Sequence, residues 1–197
     1  MDAIVMCGGE GSRLESPHEK PLHPIDGVAM VDRVLSALEE SRVDTRYAAV
    51  SPNAPATQAH LERADGVRTV ETNGDGYVAD LMALLERPEI EPPILTVAAD
   101  LPLLSGATID RVLAAHGESD ASRTVCVPVA LKRRLGVSID STLESDDHLA
   151  PTGVNIVGNA NEPESMTHVS YDPRLAINVN RREDARIATG RLTSEGR

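Results

Sequence analysis

The stretch Cys7-Gly8-Gly9-Glu10-Gly11-Ser12-Arg13-Leu14 leaves the apolar run Ala3-Ile4-Val5-Met6 and leads shortly to Lys20-Pro21-Leu22. Residues without a Cβ let backbone N–H groups crowd around an anion, and Arg13 and Lys20 add two positive charges to that cradle. The pattern predicts a phosphate site made by Gly8, Gly9, Gly11, Ser12, Arg13 and Lys20. Two common phosphate motifs are excluded by spacing. A P-loop needs Gly-Lys-Ser/Thr at the start of a helix, and a dinucleotide fingerprint needs a third glycine where Leu14 stands. Asp100 is the second residue with chemistry to do. It ends the apolar run Ile94-Leu95-Thr96-Val97-Ala98-Ala99, an expensive place for a carboxylate unless a cation compensates it. A hard oxygen ligand for Mg²⁺ bridging a triphosphate is the expectation, against the plainer alternative of an Asp capping the helix that begins near Ser105.

Arg13, Lys20 and Asp100 together can hold β- and γ-phosphates and offset the charge that builds on departing pyrophosphate, so they are the expected catalytic residues. Two further loops offer nucleotide contacts. Ser51 and Asn53 can hydrogen-bond a base or ribose, and Asn73, Asp75 and Gly76 can accept from the N1 and N2 donors of guanine while glycine allows close approach. Phosphate-to-phosphate transfer needs no covalent protein intermediate, because the acceptor oxygen is already a nucleophile. The sequence agrees in lacking a convincing nucleophile–base pair. His18, His23, His60, His116, His148 and His168 show no metal-ligand spacing and are expected to face solvent.

These residues need a scaffold that brings loops to one edge. Ala3–Met6, Tyr47–Val50, Val67–Glu71 and Ile94–Ala98 read as strands, and each is followed by a helical pattern: from Met30 to Leu38, Pro55 to Ala64, Tyr77 to Leu85 and Ser105 to His116. In the third helix Val78, Leu81, Met82 and Leu85 make the apolar face. Repeated β-α order predicts an α/β fold, a Rossmann-like, doubly wound, mostly parallel sheet with its site at the carboxyl ends of the strands. Beyond residue 120 the order changes: a strand over Thr124–Val129, a polar irregular segment over Leu131–Asp147, a strand over Gly153–Val157, an extended piece over Met166–Tyr171, a last strand over Leu175–Val179 and a helix over Arg182–Arg191. A single domain is expected over 1–197, with residues 1–118 as the nucleotide-binding half and 119–197 as the acceptor-binding half.

Composition narrows the partners. Thirty-one acidic residues stand against 19 basic ones, a net charge of −12, which repels nucleic acid and anionic membranes at long range. Lys20 and Lys132 are the two lysines, and low lysine with dispersed Asp and Glu looks like the proteome of a salt-loving organism. Where arginine fills nearly every basic position, a lysine beside the glycine loop suggests that a compact ammonium is needed. There is no Phe or Trp, so aliphatic residues must build the core. Cys7 and Cys126 sit in or beside apolar runs and read as small buried hydrophobes of a reducing compartment. No apolar stretch approaches eighteen residues and no charged-then-apolar leader precedes Gly8, so a soluble cytoplasmic protein without membrane insertion is expected. A homodimer is compatible with this composition.

The string G-G-x-G-x-R followed by Lys-Pro resembles the signature of nucleotidyltransferases, which implies a GT-A-like version of the sheet. The resemblance extends to the archaeal GTP:adenosylcobinamide-phosphate guanylyltransferases through Ser51-Pro52-Asn53-Ala54-Pro55, Gly76-Tyr77-Val78-Ala79-Asp80-Leu81, Ala99-Asp100-Leu101, Pro151-Thr152-Gly153-Val154-Asn155 and Asn178-Val179-Asn180. It implies transfer of GMP from GTP to a corrinoid phosphate with Mg²⁺, and acceptor contacts from Leu101, Thr152, Gly153 and Asn155. Gly153 reads either as close backbone approach to a bound phosphate or as a tight strand-entry turn. One departure matters: related molybdopterin enzymes carry an acidic second metal ligand near the last strand, where this chain has Asn178 and Asn180. Asn180 is left as a weaker ligand. A molybdenum-cofactor guanylyltransferase, a sugar-phosphate nucleotidyltransferase and a nucleotide-sensing regulator are the alternatives.

Overall fold

The computed structural model describes residues 1–9, 11–159 and 165–195. Seven strands form one sheet in the order β5-β4-β1-β6-β8-β7-β9: β1 Ala3–Met6, β4 Arg46–Val50, β5 Arg68–Glu71, β6 Ile94–Ala98, β7 Ser122–Pro128, β8 Leu149–Val157 and β9 Ser165–Val169. A two-stranded hairpin of β2 Pro24–Ile25 and β3 Val28–Ala29 stands apart. Its turn puts Asp26 and Gly27 at positive φ, the backbone that a two-residue hairpin of this twist requires. The helices are α1 Met30–Glu39, α2 Pro55–Leu61, α3 Tyr77–Leu85, α4 Gly106–His116, α5 Val129–Leu135, α6 Pro173–Ala176 and α7 Arg182–Glu195.

Register explains why the loops meet. β1 pairs in parallel with β4 and β6, with Met6 opposite Ala49 on one side and Ala98 on the other. The chain therefore leaves all three strands at the same level. Gly8 and Gly9 emerge beside Ser51 and beside Asp100, while β5, paired at Val50↔Glu71, delivers residues 72–76 next to them. β8 alone runs against the other strands of the sheet. Pairing at Val97↔Val154 carries Gly153 and Thr152 past the end of β6 into the same edge.

Alternation along β1 splits the core across both faces. Ala3, Val5 and Cys7 pack with α1 and α4 residues such as Val34 and Ile109, whereas Ile4 and Met6 pack with Tyr47, Val70 and Leu84. A third cluster of Leu14, Ile25, Leu103, Val137, Ile177 and Val179 lies against Ala185 and Ala188 of α7.

Three sequence expectations are corrected here. Leu131–Asp147 is not uniformly irregular, since α5 covers Val129–Leu135 and ends at Gly136 with φ 74°. Leu175–Val179 is not a strand. Asp172 accepts from the Arg174 N–H and starts a single helical turn, α6, after which residues 177–180 run irregularly with their apolar side chains buried. In α3 the buried face is set by Asp80 and Leu84, with Leu81 and Leu85 partly covered. Val78 and Met82 are instead 71% and 58% exposed.

Candidate active site

Gly11 adopts φ 66°, and a Cβ there would come within 2.7 Å of the Lys20 Cβ; one on Gly9 would lie 3.4 Å from the Lys20 Cδ. The glycines therefore let the loop lie directly on the Lys20 stem. So guided, the ammonium of Lys20 sits 2.6 Å from Asp100 Oδ2 and 2.6 Å from Asn180 Oδ1. The compensation that Asp100 needs is thus supplied by a lysine 80 residues away. The alternative helix-capping role does not fall to Asp100, because Ser105 caps α4 by accepting from the Thr108 N–H.

Asp100 Oδ1 accepts from Asn178 Nδ2 at 3.1 Å, and the same amide nitrogen donates to the Thr152 carbonyl at 2.8 Å. The Asn178 oxygen in turn accepts from Lys132 Nζ at 3.1 Å. Lys132 projects from α5 and is 5% exposed. Burial pushes its ammonium below the ordinary lysine range, while the carboxylates of Asp100, Asp184 and Asp140 act the other way. Both lysines of the chain therefore converge on Asp100, one directly and one through an amide.

The Asp184 carboxylate, 1% exposed, accepts from the N–H groups of Asn180 and Arg181 and from both the N–H and hydroxyl of Ser138. It caps α7 from inside the first turn and clamps the 138 loop to the 180 loop. On the other side of the cleft, Asp80 turns back from α3 to accept from Gly74 N at 2.9 Å and Asp75 N at 3.3 Å, which shapes the loop expected to read a base. Tyr77 reaches the sheet, its hydroxyl 3.1 Å from Thr96 Oγ1 and 3.4 Å from Asn155 Nδ2.

Two adjoining clefts result. One, of about 200 Å³, is lined by Gly8, Gly9, Lys20, Gly76, Asp80 and Asp100. The second, of about 300 Å³, is lined by Lys132, Asp140, Gly153, Asn155, Asn178 and Asn180. Tyr77 and Asp100 belong to both.

The remaining expected residues fall into two groups. Gly11, Ser12 and Arg13 border a recess that also contains Lys20 and Asn180, but the Arg13 guanidinium is turned to Asp140 at 2.6 Å instead of standing beside the Lys20 ammonium. Ser51 is 1% exposed, and its hydroxyl accepts from the Asn53 N–H, so it stabilises its own turn. A Cβ on Gly74 would meet that hydroxyl at 2.7 Å, which packs the 73–76 loop onto the Ser51–Asn53 turn. Leu101 and Thr152 are fully buried, and the Thr152 hydroxyl is used between Val125 O and Val154 N. Their side chains face the core, whereas Gly153 and Asn155 on the opposite face of β8 line the second cleft. Gly153 has φ 82°, and its close approach is to Ala98, whose Cβ would lie 2.8 Å from an added Cβ. The expectation of six solvent-facing histidines fails at His116, which is 4% exposed. Burial raises the thiols of Cys7 and Cys126 to about 12 and about 11, so neither is a ready nucleophile.

The sequence reading missed Lys132, Asp80, Asp184 and Tyr77 as parts of this centre. Lysine scarcity was the one available signal for Lys132. For Asp80 it was a carboxylate set into an otherwise apolar helix.

The model of the MobA-like NTP transferase domain matches residues 3–175. The chain is similar from end to end to the adenosylcobinamide-phosphate guanylyltransferase of Methanocaldococcus jannaschii, 28% identical over 204 aligned residues that cover 100% of each. It is 33% identical over 125 residues to the bifunctional protein GlmU of Synechococcus sp., an alignment spanning 61% of this chain and 27% of that protein. A solved nucleotidyl transferase from Methanothermobacter superposes with a TM-score of 0.69 over 98% of both chains at 19% identity, a likeness of fold. Among the described residues no helix is long and apolar enough to cross a membrane. With a domain match over most of its length, this chain belongs to the MobA-like NTP transferase family and is a nucleotidyltransferase.

Proposed function

We propose that this enzyme transfers GMP from GTP to the phosphate of adenosylcobinamide phosphate. An oxygen of the acceptor phosphate attacks the α-phosphorus, the bond from that phosphorus to the α–β bridging oxygen breaks, and pyrophosphate leaves with the electron pair. The Lys20–Asp100–Asn180 cluster beside the glycine loop carries this reading, because it fixes an ammonium where pyrophosphate would depart. Nucleotide contacts are assigned to the cleft between Gly8 and Asp80 and acceptor contacts to the cleft of Gly153 and Asn155, in keeping with a division near residue 118. The full-length likeness to an adenosylcobinamide-phosphate guanylyltransferase supports this acceptor over a sugar phosphate.

The donor set suits Mg²⁺. Asp100 Oδ2 and Asn180 Oδ1 are hard oxygens that already converge on one cation, the Lys20 ammonium. Among the described residues no group of three or more His, Cys, Asp or Glu could hold a metal, so Asp100 and Asn180 would hold the ion together with oxygens of the substrate and water. When bound, the ion neutralises triphosphate charge.

The test is product detection by mass after mixing protein, GTP, Mg²⁺ and molar KCl with each acceptor in turn. Guanylylated cobinamide phosphate is expected. Product with only molybdopterin or a sugar phosphate would reassign the acceptor, and GTP binding without turnover on any would favour a sensor. Asp100→Asn is expected to lose the response of turnover to added Mg²⁺; an unchanged response would move the ligand elsewhere.

A further inference from the structure

We propose that Lys132 is a positioning residue for the transfer: through the side-chain amide of Asn178 it holds the Asp100 carboxylate with one oxygen engaged and the other turned to the cation site. The proposal rests on the assignment of Asp100 to the metal-bound triphosphate.

A primary amide has an accepting end and a donating end, whereas an ammonium can only donate. With Lys132 Nζ 3.1 Å from the Asn178 oxygen, the NH₂ must face the opposite way, and there it meets two acceptors, Asp100 Oδ1 at 3.1 Å and the Thr152 carbonyl at 2.8 Å. A reversed amide would set its oxygen against both acceptors and its NH₂ against the ammonium. Chemistry at all three contacts therefore selects one orientation. The Asn178 oxygen is consumed in the process, so of the two asparagines Asn180 is the one whose oxygen joins the cation site.

Stability alone does not account for a lysine here. Burying an ammonium is costly, and an apolar side chain of similar volume would normally serve a buried helix position as well or better. Among the described residues Asn178 is the acceptor that Lys132 reaches. Arginine, which fills nearly every other basic position of the chain, would bring a broad planar fork to a contact that needs one point donor.

The experiment is a double-mutant cycle with Lys132→Met, Asn178→Ala and the pair, with Lys132→Ala in place of the methionine variant if that does not fold. Lys132→Met is expected to lower kcat by about 10- to 100-fold, as for residues that orient a metal ligand, with KM for GTP and acceptor within about threefold. In the Asn178→Ala background it is expected to cost less than about a further twofold. Losses that multiply would overturn the proposal, as would a raised acceptor KM at unchanged kcat, which would make Lys132 a direct acceptor ligand. In ¹⁵N-labelled protein without nucleotide, the Asn178 NH₂ resonances, identified by their loss in Asn178→Ala, are expected to shift and exchange faster in Lys132→Met. An unmoved pair would also overturn it. Absence of turnover with every acceptor would count against the functional reading instead, and the spectra would still decide the amide.

Discussion

Glu19 caps a helix to which it does not belong: its carboxylate accepts from the Thr57 N–H at 2.7 Å and from the Thr57 hydroxyl at 2.6 Å. The Ala56 N–H adds a third bond at 2.9 Å. Helix α2 opens at Ala54 and Pro55 with no side-chain cap of its own, so Glu19 supplies the acceptor its first turn lacks.

Glu19 immediately precedes Lys20, whose ammonium meets Asp100. Burial pushes the Glu19 carboxyl up, but the bonds from Thr57 and Ala56 outweigh it and hold the group below its ordinary 4.5. A lowered carboxyl contributes stability that is present above the unfolded value and is lost as pH falls through the folded one. Glu19→Gln is therefore expected to cost about 1 kcal/mol at pH 7 and progressively less in acid below pH 4.5. Urea midpoints of both proteins across pH 3–7 measure this, and coincident midpoints at pH 7 would refute it.

The sheet was legible because its signals are local. Ile94–Ala98 is a near-continuous apolar run and forms a strand over those residues, and Tyr77–Leu85 is helical over the span its pattern gave. Leu175–Val179 misled because an apolar run says only that residues are buried, and Asp172-Pro173 just before it had already set a helical turn. The face of α3 was misjudged for a related reason. A hydrophobic count turns Val78 and Met82 inward, whereas the bonds from Gly74 and Asp75 to Asp80 turn that carboxylate inward instead.

Lys20→Ala is expected to cut kcat by a factor on the order of 10²–10³ while weakening GTP binding less than about tenfold, because its charge is assigned to the pyrophosphate that forms during bond breaking. The same ammonium stands between the two oxygens offered to a divalent ion. Removing it should therefore raise the affinity for Mn²⁺ in the absence of nucleotide, read by electron paramagnetic resonance. Equal kinetics would reject the first role and equal Mn²⁺ binding the second.

The candidate site divides along the same line between local and distant information. Strand ends and glycines marked the loops, and Gly8, Gly9, Lys20 and Asp100 line one cleft. Which side chain points into the cleft depends on strand alternation: Pro151, Gly153 and Asn155 face it, whereas Thr152 faces the core. The partner of a charge is a tertiary fact. Arg13 meets Asp140, and Asn178 meets Lys132, at separations of 127 and 46 residues that no spacing rule reaches.

Gly153→Ala tests the edge where β8 passes β6. At φ 82° an alanine is strained, and its Cβ would stand 2.8 Å from the Ala98 Cβ and 3.5 Å from Asn178 Nδ2. Left-handed backbone costs about 1–2 kcal/mol and overpacking about 1–3, so a loss of about 2–5 kcal/mol is expected in urea unfolding. Adding Ala98→Gly should recover the packing part alone. A single variant as stable as the parent would show that the edge relaxes freely.

His116 closes α4 with its ring buried and neither nitrogen in a hydrogen bond of ordinary geometry. Burial, then the charge of Arg123, lowers its affinity for a proton; the Ser119 backbone and Asp120 oppose them and do not prevail. A base held below its ordinary 6.5 stays neutral when folded and binds a proton more readily when unfolded, so stability falls as pH drops below that value. His116→Leu removes both the proton-linked loss and two unsatisfied polar atoms. The variant is expected to be at least as stable as the parent at pH 8, with its advantage growing as pH falls from 6.5 to 5, in thermal melts at fixed salt. A gap that stayed constant or narrowed over that range would mean that the ring is protonated in the folded chain.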